Sequence, residues 1–316
     1  MHVRFQQLCI RFADRVREIR IGHVRACPTA LAFAELNKQG NRSALELHGK
    51  NKDIVVVDKK LKTTMPAICW EISNVRAAKE NIEEEALWLI DVALSLLRLY
   101  CSEAPRPRPG VKPRRPVVEP HPLQIEARRS IALSDVTITT GTHSYDEPRP
   151  YLVDRKIARR AKTVKFVRMA EEIFGAPERT LAARLRQGLG WLTRGRRSQD
   201  RSERLLFFFT AIEALLGGGR SAVAERIARH VATVIEPEIN LRHKATRMVR
   251  RLYAVRNELV HEGGRDVSHM DVIHLQDMVE RLYKRVLKME LRIASEFIPA
   301  ATFLERVDEA SFGARL

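Results

Sequence analysis

An arginine and a histidine lie five positions apart in the segment Arg256-Asn257-Glu258-Leu259-Val260-His261, just before Gly263-Gly264. A guanidinium keeps its charge and can grip a phosphate with two hydrogen bonds, whereas an imidazole gains and loses a proton near neutral pH. Cleavage of RNA by its own 2′-hydroxyl needs a base for that hydroxyl, positive donors for the phosphorane and a proton for the 5′-oxygen. Arg256 and His261 are therefore a candidate pair for cleaving a phosphodiester.

The helical pattern around this pair places the two residues on different sides. Arg256 falls inside the apolar stripe, so its stem is expected to be buried. Tyr253, Asn257 and His261 follow one another at intervals of four, which lets Asn257 hydrogen-bond and orient the imidazole. Five positions correspond to about 140° in a regular helix. The pair would converge only if the helix unwinds before the two glycines, or if two copies face each other across a dimer.

Glu213 is the carboxylate that the sequence offers as a partner for Arg256. It stands in Leu205 to Leu216, which is apolar almost all round and predicts a helix at the centre of a bundle, ended by three glycines. A carboxylate on such a helix needs a partner. An ordinary intramolecular pair, or an edge position near the helix end, is the simpler interpretation of Glu213. On spacing alone, a histidine that interacts with the helix dipole is likewise the simpler interpretation of His261.

The composition limits the classes of function. The 316 residues carry a formal net charge of +17, which favours a polyanionic partner such as RNA, DNA or an anionic membrane. The four cysteines lack the spacing of a zinc site and are expected to be reduced thiols. Neither a secretory signal nor a membrane span is recognisable. We therefore expect a cytoplasmic protein that uses no metal or other cofactor.

The patterning predicts two regions of different structure. Residues 1–150 are expected to form a smaller mixed α/β region of unknown role, and residues 151–316 a helical region, so the fold class is mainly α. Proline lacks an amide donor, and a Pro- and Arg-rich stretch near 102–122 therefore predicts a semi-extended linker. The elements predicted in the first region are strands at 53–58, 67–72 and 131–140 and a helix at 81–100.

The helical region opens with a cationic segment. Ile157, Ala161, Val164 and Val167 can form its inward stripe, which leaves the basic residues for solvent or for a nucleic-acid backbone. The candidates for RNA contact are Arg155, Arg159, Lys162 and Lys165. A solvated helix face accounts for these residues at least as well.

Further helices are predicted at 178–193, 222–235 and 241–259, the first of them ended by a turn at 194–197. A last helix begins at Ser268, whose hydroxyl can cap it with Asp271 three residues later. Its apolar residues keep heptad spacing from Val272 to Ile293. Packing within the bundle and pairing across a dimer account for this seam equally well.

Four segments in this order resemble the Apea-like domains of the HEPN superfamily. They are LAARLRQGLGWL at 181–192, LLFFFTAIEALLGGG at 205–219, the stretch 223–230 with its Arg229, and LYAVRNELVHEGG at 252–264. The resemblance spans about residues 177–297, somewhat over a third of the chain. The combination and order of these segments are much more specific than the Arg–His spacing alone.

The resemblance implies a C-terminal helical bundle of the HEPN type that often dimerises and, in active members, is a metal-independent endoribonuclease. Arg256 and His261 would be the catalytic pair and Asn257 the polar residue after the arginine. The helical pattern, rather than the resemblance, adds Glu213 and Tyr253 as supporting residues. The products would be a 2′,3′-cyclic phosphate and a 5′-hydroxyl.

Many HEPN proteins cut RNA in defence, toxin or stress systems, and others only bind RNA or serve as scaffolds. The expected partners are therefore RNA, a second copy of the chain, and a protein partner or antitoxin bound through the N-terminal region. No membrane partner is expected.

Overall fold

The computed structural model is mainly helical, with a small sheet near the N-terminus. The residues it describes are 3–6, 10–13, 16–38, 49–50, 54–58, 63–66, 68–73, 75, 77–101, 151–198, 200–217, 223–261 and 267–312. The strands are β1 (Val3–Gln6), β2 (Ile10–Phe12), β3 (Ile19–Ile21), β4 (Val24–Pro28), β5 (Gly49–Lys50), β6 (Ile54–Asp58), β7 (Thr63–Pro66), β8 (Ile68–Ile72), β9 (Tyr151–Val153), β10 (Arg292–Ile293) and β11 (Glu296–Phe297). The α-helices are α1 (Thr29–Lys38), α2 (Ile82–Leu96), α3 (Arg155–Arg160), α4 (Val164–Phe174), α5 (Leu181–Arg197), α6 (Arg201–Leu216), α7 (Val223–Ile235), α8 (Ile239–His261), α9 (His269–Val286) and α10 (Ala300–Ser311).

Four strands form the N-terminal sheet in the antiparallel order β1-β8-β4-β3. Its strand β8 is buried throughout, and Trp70 on it is fully enclosed. The predicted strands at 53–58 and 67–72 are confirmed as β6 and β8. The predicted linker at 102–122 and the predicted strand at 131–140 lie outside the described residues.

Helix α2 packs on α5, although it belongs to the predicted mixed α/β region of residues 1–150. The hydroxyl oxygens of Ser95 and Thr193 lie 2.6 Å apart, and Thr193 also donates to the carbonyl oxygen of Asp91 at 2.7 Å. The helix predicted at 81–100 is confirmed, and its last residues, Leu97–Cys101, form a π-helical turn. The N-terminal half therefore contributes a helix to the helical core.

Glycines on α5 allow its neighbours to approach closely. A Cβ atom at Gly188 would lie 1.5 Å from Oη of Tyr283 on α9, and one at Gly195 would lie 2.6 Å from the ring of Phe208 on α6. Both glycines are buried, and helix α5 is thereby enclosed by α2, α6 and α9. Side chains at these positions would force the helices apart.

The turn predicted at 194–197 is wrong, because α5 continues through Arg197. The side chains of Arg196 and Arg197 are almost fully buried there. Arg196 pairs with Glu280 of α9 at 2.8 Å, and Arg197 pairs with Asp91 of α2. A stretch rich in arginine and glycine is expected from its sequence to be exposed. Here carboxylates on helices that are remote in the sequence offset the cost of burying the two arginines.

The cationic segment at the start of the helical region forms two helices rather than one. The hydroxyl of Thr163 accepts a hydrogen bond from the backbone amide of Phe166 at 3.4 Å and caps α4. This new start shifts the helical phase, so Phe166 points inward. The predicted inward positions of Val164 and Val167 are wrong, since they are 85% and 38% exposed.

Helix α9 begins behind Ser268 as predicted, with the Ser268 hydroxyl accepting from the Asp271 amide at 3.1 Å. The apolar residues of the predicted seam from Val272 to Val286 are buried against helices of the same chain. The helix ends at Val286, and Ile293 lies in β10, so the predicted seam is shorter than expected. Packing within the bundle is thus the interpretation that the structure supports. Within the described ranges, no helix is both long and apolar enough to cross a bilayer.

Candidate active site

The Arg256–His261 segment is the C-terminal end of α8, and the C-terminal end of α6 packs against it. Tyr253 of α8 is buried at this contact, with its ring edge-on to Phe209 of α6 at a centroid distance of 5.1 Å and an angle of 77°. Such aromatic pairs favour one relative placement of the two helices. The contact fixes the ends of α6 and α8 that carry the candidate residues.

Tyr253 also links the two helices through its hydroxyl, which donates to Oε1 of Glu213 at 2.8 Å. Burial, together with the hydrogen bond and negative charge of Glu213, raises the pKa of Tyr253 to about 12. The hydroxyl therefore keeps its proton at neutral pH and remains a donor to the carboxylate.

Arg256 lies beside the same carboxylate. Its Nη2 is 3.7 Å from Oε1 of Glu213, its guanidinium carbon is 5.5 Å from the centroid of the Tyr253 ring, and its Nη1 donates to Oδ1 of Asn257 at 3.3 Å. The predicted pairing of Arg256 with Glu213 is present at ion-pair distance. The side chains of Arg256 and Glu213 are 25% and 30% exposed, so a ligand can reach both of them.

Helix α6 is less deeply buried than its composition predicts. Leu206, Phe207, Thr210, Glu213 and Ala214 are only partly buried and lie along one side of the helix. The prediction that α6 lies wholly at the centre of the bundle is therefore wrong for this side. Glu213 is a half-buried residue close to the helix end, stabilised by two partners on α8.

His261 is the last residue of α8 and is exposed. The hydrogen bond predicted from Asn257 to His261 is absent from the described part of the chain, where Asn257 accepts from Arg256 instead. Unwinding of the helix before the two glycines is one of two arrangements that would bring the pair together, and it is not found as far as His261, because the helix runs through this residue. Arg256 faces α6, and His261, about 140° away around the helix, faces solvent. One chain does not bring the two side chains together.

The four cations predicted to contact RNA lie elsewhere in the fold. Arg155, Arg159, Lys162 and Lys165 are on α3, the following turn and α4. These elements are distinct from α6 and α8, which carry Arg256 and His261. The RNA-contact role of these cations stays a prediction.

A second ionisable cluster joins α7 to α10 and is not apparent in the sequence. Nε2 of the buried His230 lies 2.8 Å from Oδ1 of Asp308, and Arg229 donates to the same oxygen at 2.9 Å. Burial lowers the pKa of His230. His230 and Asp308 are 78 positions apart, so no local pattern connects them. The cluster attaches the last described helix to the bundle.

Comparison of the chain with family models, with curated proteins and with solved structures finds no match. The similarity to HEPN domains consequently remains what the four sequence segments imply.

Proposed function

We propose that this chain is a HEPN-type endoribonuclease that cleaves RNA without a metal ion, through attack of the 2′-hydroxyl. The observation that carries the proposal is the end of α8, where Arg256 is held by Glu213, Tyr253 and Asn257 while His261 is presented to solvent five residues later. A guanidinium that could bind a phosphate and an imidazole that could transfer a proton are thus both accessible on one helix.

The proposed reaction assigns a role to each group. His261 takes the proton of the ribose 2′-hydroxyl, and the 2′-oxygen then forms a bond to phosphorus while the bond to the 5′-oxygen breaks. Arg256 stabilises the charge that develops on the phosphorane oxygens. Protonation of the leaving 5′-oxygen gives a 5′-hydroxyl and a 2′,3′-cyclic phosphate. Glu213 and Tyr253 are positioning residues, because they act through Arg256.

We further propose that the complete site contains two copies of the chain. The straight helix keeps Arg256 and His261 of one copy on different sides, so a phosphate held by Arg256 needs a histidine from elsewhere. Two α8 helices related by a twofold axis would supply one, since each arginine then faces the histidine of the other copy. The leaving 5′-oxygen takes its proton from water at the exposed end of the helix, so each of the two sites needs one arginine and one histidine.

The test is cleavage of RNA by the purified full-length protein in EDTA. We expect cyclic-phosphate ends from the wild type and loss of cleavage by at least about a hundredfold in Arg256→Ala and in His261→Ala, in line with the loss of a charge-stabilising or proton-transfer group. Cleavage that persists in both variants would contradict the proposal. Arg285→Ala, an exposed cation on α9, is the matched control and should cleave normally.

A non-catalytic role as an RNA-binding or scaffold protein is the second candidate. It is favoured by the intramolecular contacts of Arg256, because an arginine that pairs with Glu213 and packs on Tyr253 also stabilises the helix end. Salt-sensitive RNA binding by a dimeric protein that never cleaves, at any pH, would support this alternative.

The biological setting that we propose follows the sequence resemblance. It is a cytoplasmic defence, toxin or stress system, in which the N-terminal part of the chain binds a protein partner or antitoxin.

A further inference from the structure

The solvent-facing side of α8 carries a row of basic residues that leads towards His261. Its members are exposed in the structure and lie opposite the buried stripe of the helix. They are His243, Lys244, Arg247, Arg250 and Arg251, and we name them the α8 basic row. Ala254, Glu258 and Val260 are the exposed residues that lie between this row and His261.

Most of the charge of the α8 basic row is available to a ligand. Within the described residues, Lys244 and Arg247 form no ion pair or side-chain hydrogen bond. Arg250 pairs with Glu225, and both side chains are about half exposed, a type of pair that adds little stability and is readily exchanged. Arg251, also half exposed, pairs with Asp271. Among the residues that the structure describes, two cations of the row thus have no partner, and a third is weakly held.

Three members of the row share one side of the helix with His261. At about 100° per residue, His243, Arg247 and Arg250 lie within about 40° of His261 around the axis, and Arg251 and Lys244 flank them at about 80° and 100°. Arg256, in contrast, lies about 140° away in the opposite sense. Arg247 precedes His261 by about 21 Å along the axis, at a rise of about 1.5 Å per residue. A chain of anionic groups lying on the row would consequently reach His261 directly.

We propose that the α8 basic row binds the sugar-phosphate backbone of single-stranded RNA and leads that strand to His261. The inference rests on the proposed function for the reaction at its end, but the binding itself does not. The row is one helix face wide, which suits a single backbone, since recognition of duplex RNA extends over two successive minor grooves. An anionic membrane surface fits less well, because the exposed large apolar residues of α8, Ile239, Leu241 and Val260, lie at the two ends of the helix and not among the basic residues.

The test uses full-length protein with His261→Ala, so that bound RNA is not cut. The variant Lys244→Gln/Arg247→Gln removes the two cations that have no partner among the described residues. The control Arg285→Gln/Lys288→Gln removes an exposed arginine and an exposed lysine three positions apart, at the end of α9. Binding of a fluorescent single-stranded RNA is measured by anisotropy over a series of salt concentrations, and thermal unfolding verifies that each variant is folded.

We expect the Lys244/Arg247 variant to bind roughly tenfold more weakly at physiological salt, with a salt slope smaller by about 1.4, because each lost phosphate contact on a single strand contributes about 0.7. The control should keep the slope of the parent, and Lys244→Arg/Arg247→Lys should restore binding. Equal weakening in both double variants would mean that only net charge matters, and no weakening would mean that the row is not used; either result overturns the proposal.

Two further arms distinguish RNA binding by the row from membrane binding and from the cleavage reaction. If Lys244→Gln/Arg247→Gln no longer sediments with phosphatidylserine vesicles but still binds RNA, the row binds a membrane surface. That result would contradict the proposal. Failure of the cleavage test with Arg256→Ala and His261→Ala would remove the proposed reaction, but the salt slopes would still decide whether the row binds RNA.

Discussion

Arg256 is restrained by three kinds of contact that differ in strength. The charge of Glu213, the face of Tyr253 and the amide oxygen of Asn257 surround the guanidinium. The distance of 3.7 Å to Glu213 and the partial exposure of both side chains make this ion pair weak enough for a phosphate to compete with it. Arg256 is thereby held in one orientation without being withdrawn from a ligand.

Replacing Tyr253 by phenylalanine should separate positioning from packing. Tyr253→Phe keeps the aromatic contact with Phe209 but removes the hydrogen bond to Glu213. We expect a loss of about 1 kcal/mol in the free energy of unfolding, measured with urea. If the RNA-cleavage proposal is correct, kcat should fall more than KM changes, because Glu213, which pairs with Arg256, then loses the hydrogen bond that orients its carboxylate.

The pH dependence provides the control for Tyr253. Folding raises the pKa of Tyr253 from 10.0 to about 12. The stability that the protonated hydroxyl contributes is therefore complete below pH 10 and is lost as the pH rises towards 12. Tyr253→Phe should abolish this part of the alkaline loss. A variant with the same alkaline profile as the wild type would show that the hydroxyl does not contribute.

Acidification should weaken the contact between α7 and α10. Burial holds the pKa of His230 below 6.5, so the unfolded chain takes up this proton more readily than the folded chain. Stability is therefore expected to fall as the pH drops from about 6.5 through the lowered pKa. Burial acts to raise the pKa of Asp308, but the hydrogen bonds from His230 and Arg229 hold it below 3.8, so its contribution is lost at still lower pH.

Thermal unfolding of the wild type and of His230→Gln, from about pH 8 to about pH 5, measures the His230 contribution. The midpoint of the wild type should fall more steeply than that of the variant, because glutamine does not titrate. Parallel curves would assign the acid sensitivity to other groups.

At the scale of elements, the enclosed glycines of α5 are expected to be intolerant of any side chain. Gly188→Ala would place a methyl group 1.5 Å from Oη of Tyr283. Alanine gains about 1 kcal/mol in helix propensity, but overpacking costs about 1–3 kcal/mol and should outweigh it. We expect net destabilisation in urea unfolding.

A double-mutant cycle identifies the cause. Removing the hydroxyl with Tyr283→Phe should make Gly188→Ala less damaging. The loss of unfolding free energy in the double variant should then be smaller than the sum of the two single losses. Additive effects would instead indicate that the alanine disturbs α5 in some other way. Tyr283→Phe alone measures the cost of losing the hydrogen bond to the carbonyl oxygen of Ala211.

Helices with an uninterrupted apolar stripe could be predicted from the sequence, and α7, α8 and α9 begin close to the predicted positions. The continuation of α5 through Arg197 could not, because it depends on Glu280 and Asp91, which are remote in the chain. At the candidate site, the pairing of Arg256 with Glu213 was predictable from helical phase. The bond from Asn257 to His261 was not realised, and the amide oxygen of Asn257 instead accepts a hydrogen bond from Arg256.

At the scale of the whole molecule, a site shared by two copies predicts complementation between inactive variants. Co-expressed Arg256→Ala and His261→Ala chains would form mixed dimers in which one of the two sites has both residues intact. Random pairing should then recover about a quarter of the wild-type cleavage. RNA cleavage by each variant alone gives the background, and light scattering establishes that dimers are present.

No recovery in verified mixed dimers would mean that Arg256 and His261 act within one chain. A monomeric wild type at micromolar concentration that still cleaves RNA would lead to the same conclusion. Either result would require the end of α8 to rearrange when RNA binds.

The parallel pairing of β2 with β9 has a consequence for biosynthesis. Its register joins Ile10 to Tyr151, so β2 is made long before its partner. At about 5–20 residues per second, the interval is roughly 7–28 s. The entropic cost of closing so long a loop is modest, because it grows only slowly with loop length. An edge strand that stays unpaired for seconds can nevertheless pair with strands of other chains. The speed of translation through the intervening residues thus sets how long the nascent protein is vulnerable to aggregation.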